Sequence, residues 1–286
     1  MRTFHLAPAY DNTKRIDEVV MPDIRYAQNE NVDRGDLRMQ VIERGTSTPI
    51  DDAKISISYS GDPDSTVEEV NTDASGMSET LTLDTPPLEL SMQPSEVQPY
   101  AEYTIQVTAK GYRPINISGI EVFSGQLSLQ EIRMDAEEAT ESMTDNIVIP
   151  AHTLFAEYPP KIAEAEIKPV TETGEIVLSR VVIPEYVIVH DGAPSDPTAR
   201  DYYVRYRDYI KNVASSEIYS TWPDTTIRAN VLAIMSFTLN RVYTEWYRGK
   251  GYDFTITSST AYDQKWIYGR NIFQSIDEVV DEIFDQ

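Results

Sequence analysis

The sequence predicts a chain of two folded parts, an all-β sandwich followed by a mixed α/β domain. Three observations carry this expectation. The 286 residues exceed one minimal domain and suit two, each able to bury a core of its own. Between Leu37 and Met134, apolar and polar residues alternate in short runs separated by turn-forming residues, the period-two signature of half-buried antiparallel strands. After Pro223 the period becomes helical, with Ile227, Val231, Ile234, Met235, Leu239, Val242 and Trp246 recurring on one face.

Residues 1–34 are polar and carry no sustained period, so they read as an N-terminal extension. The sandwich, residues 35–135, is expected to take strands at Leu37–Ile42, Ile55–Tyr59, Glu79–Leu83, Tyr103–Thr108 and Leu127–Met134. Turn chemistry separates them at Gly61-Asp62-Pro63-Asp64, Asp73-Ala74-Ser75-Gly76, Lys110-Gly111-Tyr112 and Ser124-Gly125. Residues 136–180 read as a linker: an acidic run from Asp135 to Glu141 precedes the proline-punctuated stretches Tyr158-Pro159-Pro160 and Ile167-Lys168-Pro169. Within it, Ile147-Val148-Ile149 and Glu175-Ile176-Val177-Leu178 are apolar enough to add strands to a neighbour, and an exposed strand-prone linker is a good protease substrate.

The second domain, residues 181–286, opens with a strand at Val181–Val189 and a turn-rich stretch from His190 to Pro197. A second strand or short helix at Tyr206–Val213 then delivers a hydroxyl-rich turn holding Glu217. Pro223 suits the first turn of the next helix and Asp224 suits its N-terminal dipole. That helix is expected to be largely buried and to stop at Gly249-Lys250-Gly251. A strand-like Asp253–Thr257, a polar loop from Ser258 to Gln264 and a last helix over Ile272–Phe284 complete the chain.

Composition narrows the function. Lys and Arg total 24 against 47 Asp and Glu, a formal charge of −23, which repels nucleic acid and anionic lipid surfaces. The absence of Cys excludes disulfides, thiolate metal sites and a Cys nucleophile together. His5, His152 and His190 have no metal-like spacing and give little support to a Ser-His-Asp triad. The N-terminus lacks a signal-peptide core of about 7 to 15 apolar residues, and no stretch approaches the roughly 20 apolar residues of a membrane span.

Glu217 is the one credible chemical centre. A side chain that works as a general acid must be protonated when it meets its substrate, so partial burial has to raise its pKa. Ala214, Ile218 and Trp222 supply apolar surroundings, and Ser215, Ser216 and Tyr219 supply hydrogen-bond partners. A hydrolase would add a second carboxylate. None stands in this stretch except Asp224, which already suits the helix start. Residue pattern alone leaves open a solvated or capping glutamate.

Two resemblances sharpen the expectation. The order of strands and turns, with Pro49-Ile50-Asp51-Asp52-Ala53, Thr72-Asp73-Ala74-Ser75-Gly76 and Val107-Thr108-Ala109-Lys110-Gly111-Tyr112, resembles a transthyretin-like or carboxypeptidase-regulatory-like domain. Such modules do not imply a function. Val213-Ala214-Ser215-Ser216-Glu217-Ile218, then Trp222-Pro223, then Thr226 to Ala233 resemble the start of the SpoIID/LytB domain. That resemblance implies a peptidoglycan lytic transglycosylase with Glu217 as its acid/base and no cofactor. The loop Ile256–Gln264 with Tyr268-Gly269 lies where that family has a hydroxyl-rich segment. By this resemblance Thr260, Tyr262, Gln264 and Tyr268 join Ser216 and Tyr219 as glycan-contact candidates. Some relatives hold a metal in this loop with Cys and His; this loop has neither, so no metal is expected.

Together the two parts, joined through Pro86–Pro94 and a Tyr-Pro-Pro linker, resemble clostridial spore cortex-lytic enzymes of the SleC type. The resemblance implies residence in the spore outside the cytoplasm, cortex peptidoglycan strands as substrate and storage as a zymogen. Residues 1 to about 175 would be pro-region and linker, and a subtilisin-like Csp protease would cut between Glu164 and Arg180. Relatives continue beyond the last helix, so the second domain is expected to be incomplete at its C-terminus. The alternatives are a non-catalytic peptidoglycan-binding or structural protein of the spore or cell wall, and a phage- or secretion-associated wall-remodelling component.

Overall fold

The computed structural model describes residues 32–137, 144–163 and 182–286. The N-terminal extension up to residue 31, most of the acidic run and the expected cleavage stretch lie outside the described residues.

The first part is a two-sheet sandwich. In one sheet, β1 (Asp33–Glu43) lies between β4 (Leu81–Thr85), antiparallel to it, and β7 (Leu127–Met134), parallel to it. In the other, β2 (Lys54–Tyr59) pairs with β3 (Asp62–Asn71) and β5 (Ala101–Thr108), and β5 continues to β6 (Ile115–Val122) and β8 (Asp145–Val148). The alternation seen in the sequence sets which side chains point inward. Leu37, Met39 and Val41 of β1 and Ile132 and Met134 of β7 face Ile55, Ile57, Tyr103, Ile105 and Val107 of the second sheet in one continuous core.

Two strands differ from expectation. Gly61-Asp62-Pro63-Asp64 is not wholly a turn, because β3 already begins at Asp62. β3 is an edge strand with Val70 as its one buried residue, and an edge tolerates Pro63. β6 escaped the alternation because Gly119 interrupts it. Its φ of 82° is left-handed, and a Cβ there would come within 2.2 Å of the Ile149 carbonyl oxygen. The expected linker is partly structural: Ile147 and Val148 belong to β8, which adds in parallel to β6, and His152 is fully buried.

The second part combines a three-stranded sheet of β10 (Asp201–Arg205), β9 (Tyr186–His190) and β11 (Ile256–Thr257) with three helices. After the single-turn helix α1 (Glu89–Met92) of the first part, these are α2 (Tyr206–Glu217), α3 (Asp224–Tyr243) and α4 (Gln274–Phe284). Of the two expectations for Tyr206–Val213 the helix holds and the strand does not, and the helix is longer than expected. Tyr206, Tyr209, Ile210, Val213 and Ala214 form one buried helical face, so the helix continues and Glu217 is its last residue instead of lying in a turn. α3 buries one face through Ile227, Val231, Ile234, Met235, Thr238 and Arg241 and exposes Leu232, so it is less enclosed than its composition suggested. It ends before Trp246, which packs with Tyr247 and Phe254 in a small separate cluster.

The two parts interlock. The short strand β12 (Ile272–Phe273) pairs antiparallel with β7, extending the sandwich sheet. Ile267 enters the sandwich core, and Tyr100 and Phe123 of the sandwich enter the helical core. Between them, the Asn271 amide bonds both the backbone N–H and the carbonyl of Glu121.

Candidate functional site

Glu217 closes α2, where Ile218 turns to extended backbone. At a helix C-terminus the unpaired carbonyls disfavour a nearby negative charge, and one of them, that of Ser216, is bonded by both the backbone N–H and the hydroxyl of Thr153. The Glu217 carboxylate accepts a hydrogen bond of 2.6 Å from the Lys265 backbone N–H. Burial dominates its electrostatics and pushes the carboxyl up to about 7, against the opposing pull of that N–H and of the Lys161 ammonium. Such a group is protonated in useful amount near neutral pH and serves as a base once it has given its proton away.

Two segments border it. One is the loop 258–265. The other is the extended stretch 158–163, held to that loop by Ile162 N–H to the Ala261 carbonyl at 2.7 Å and by Lys161 Nζ to the Asp263 carbonyl at 3.1 Å. The Lys265 ammonium in turn lies 5.4 Å from the Tyr158 ring centroid. Neither Lys161, Thr153 nor the Lys265 N–H was legible in the sequence, since the first two sit in the expected linker and the last is a backbone group.

Asp263, the one carboxylate of the loop, is fully engaged elsewhere. Its Oδ1 accepts from Arg241 Nε at 2.8 Å, and its Oδ2 accepts from Tyr247 Oη, Thr257 N and Thr257 Oγ1 at 2.6, 2.9 and 2.7 Å. It fixes the loop to α3 and β11, so it stands in no position to act as a second acid.

The expected contact residues divide by location. Ser216 is fully buried and its hydroxyl donates to the Asn212 carbonyl. Gln264 is buried, with its amide oxygen bonded by Thr238 at 2.7 Å and Tyr209 at 3.3 Å and its nitrogen donating to the Ile234 carbonyl. Tyr219 is enclosed by His152, Phe123 and Trp222. These three are committed to packing and hydrogen bonds inside the fold. Thr260 and Tyr262 are half-buried on the bordering loop, and the Thr260 hydroxyl is buried with no hydrogen-bond partner. Tyr268 lies apart, in a cleft of about 770 Å3 that does not include Glu217.

His190 does not form a triad with Ser258. Its Nδ1 meets Asp201 at 2.7 Å and its Nε2 the Ala193 carbonyl at 3.1 Å, while Ser258 donates to Asp191. Among the described residues no group of three or more His, Cys, Asp or Glu is arranged to hold a metal ion, and no helix is long and apolar enough to cross a membrane.

No protein-family model matches the chain, and no curated protein does. Solved structures similar to part of it include the Bacillus anthracis TIE protein, at 15% identity and a TM-score of 0.25 over 36% of this chain and 17% of that one. Klebsiella pneumoniae 5-hydroxyisourate hydrolase is similar at 15% identity and a TM-score of 0.24, over 36% of this chain and 92% of that one. Acinetobacter radioresistens catechol 1,2-dioxygenase is similar at 12% identity and a TM-score of 0.25, over 44% of this chain and 60% of that one.

Proposed function

We propose that the chain is a lytic transglycosylase of peptidoglycan with Glu217 as its only acid/base. The observation that carries this reading is that Glu217 is a half-buried carboxyl raised to about 7 with no side-chain ion pair among the described residues. Glu121, also raised to about 7, is by contrast locked against Arg270, and Asp263 is wholly committed to structure. One acid is enough for this chemistry. The Glu217 carboxylic acid protonates the glycosidic oxygen as the bond from that oxygen to C1 breaks. The carboxylate then removes the proton from the C6 hydroxyl of the same muramyl residue, whose oxygen closes on C1 to give a 1,6-anhydro end. No water, metal or cofactor enters the balance.

In this reading Thr260 and Tyr262 touch the glycan beside the acid, and Ser216, Tyr219 and Gln264 hold the acid's surroundings in place. The sandwich is of the transthyretin-like kind, the second part is SpoIID-like, and the substrate is spore cortex peptidoglycan met at germination. Activation by a subtilisin-like Csp protease belongs to the same reading; the stretch it would cut lies outside the described residues. The second reading is a non-catalytic peptidoglycan-binding or structural protein of the spore or cell wall. The stretch 158–163 lying against the loop beside Glu217 favours it.

Mass spectrometry of muropeptides released from cortex peptidoglycan separates the two. Anhydro ends made by the chain and lost in Glu217→Gln support the transglycosylase. Reducing ends indicate a hydrolase, and no release from either protein points to the binding role.

A further inference from the structure

The cleft that holds Tyr268 is formed by both parts of the chain at once. Arg44, Ile117, Arg133 and Ile147 line it from the sandwich, and β10, the start of α2 and residues 266–272 line it from the second part. Its volume of about 770 Å3 falls in the range of ligand clefts, about 300–1,000 Å3.

Two features of its lining bear on what fits there. The first is aromatic. Tyr202 stacks on Tyr268 at 5.0 Å and contacts Trp266 at 5.1 Å, forming a joined platform, while Tyr186 and Tyr203 stand at 45% and 76% exposure. An aromatic side chain that exposed on a strand loses apolar burial with nothing gained inside the fold. Ring faces of this kind suit the C–H face of a pyranose.

The second feature is charge. Five cationic and three anionic side chains line the cleft, the reverse of the chain's balance of 24 bases to 47 acids. The cations are largely paired already, as Arg44 is with Asp135 and Lys211 with Asp277. A rim of alternating sign suits hydroxyls, which donate and accept together, better than a run of carboxylates. Acids behind the lining, Asp135, Glu121 and Asp281, offset its cations, so the cleft is close to charge-neutral where the chain as a whole is strongly acidic.

We propose that this cleft is an oligosaccharide-binding groove, distinct from the Glu217 site and backed by the same 264–268 segment: the Lys265 N–H faces the acid and its neighbour Trp266 lines the groove. The assignment of a peptidoglycan strand as the saccharide rests on the glycan reading above; the groove itself does not rest on catalysis by Glu217.

The test uses the full chain carrying Glu217→Gln, which removes turnover, and isothermal titration with soluble oligosaccharides prepared from cortex peptidoglycan. Binding is expected, and Tyr203→Ala with Arg205→Ala, both at exposed positions, is expected to weaken it at least tenfold with an unchanged melting temperature. No binding by the parent, or equal binding by the double variant, overturns the groove. Tighter binding of poly-glutamate at the same residues overturns it in favour of an acidic peptide. Binding as expected, together with unchanged anhydro-end release by Glu217→Gln, would instead remove the catalytic reading and leave the groove standing.

Discussion

Arg270 and Glu121, 149 residues apart in sequence, form a fully buried two-pronged ion pair, with Arg270 Nη1 2.8 Å from Glu121 Oε1. Arg270 also donates to the carbonyl of Ser215, two residues before Glu217, at 2.6 Å. One guanidinium therefore ties the sandwich to the helix that carries the acid.

Breaking that pair from one side leaves a buried charge without its partner. Glu121→Ala is expected to cost about 3–5 kcal/mol, whereas Glu121→Leu with Arg270→Met is expected to recover most of it. Urea unfolding of the two variants measures the difference, and equal losses in both would contradict the account.

Glu217 links stability to pH in a definite direction. Its carboxyl is raised from an ordinary 4.5 to about 7 by burial, so the fold prefers the neutral form. That contribution is fully present below about pH 4.5 and is lost as pH rises through about 7. Glu217→Gln is therefore expected to match the native chain near pH 4 and to be more stable at pH 8, by up to about 3 kcal/mol. Thermal unfolding across that range reads it; parallel curves for the two proteins would mean that the carboxyl is not raised.

The Lys161 ammonium lowers the Glu217 carboxyl through space. Lys161→Ala is expected to move the Glu217 titration upward, and any activity limb set by that group should move with it. Carbon-13 NMR of the glutamate side chains follows this directly, and an unmoved midpoint would place the ammonium too far away to matter.

Asp263 anchors the loop through Arg241, Tyr247 and Thr257. Asp263→Asn removes the charge opposite a buried Arg241, at an expected cost of about 3 kcal/mol. Amide exchange should show residues 256–264 losing protection before the sandwich does. Uniform loss across both parts would argue that the loop is not separately anchored.

The parts of this architecture legible in the sequence were those whose pattern is local. The strands centred on Leu37, Ile55, Tyr103 and Leu127 announce themselves by alternation, and α3 by its apolar spacing. β3 gave no such signal because seven successive residues from Pro63 to Glu69 are exposed, and β6 because Gly119 breaks the run. β12 is two residues long and owes its strand character to β7, from which it is far removed in sequence. Glu217 could be singled out from its neighbours, yet the Lys265 N–H and Lys161 that tune it come from separate stretches that folding alone brings together. The aromatic cleft was illegible for the same reason.

The pairing of Ile272 with Leu129 and of Phe273 with Ser128 has a bearing on proteolysis. A cut anywhere between the two parts severs a covalent connection but leaves a shared sheet, two shared cores and the Glu121–Arg270 pair intact. The product is then a two-chain complex that travels as one particle, and its separation is an unfolding event with an unfolding barrier. A nicked sample should therefore keep its elution volume, and the sandwich would remain a standing subunit of the molecule after the cut.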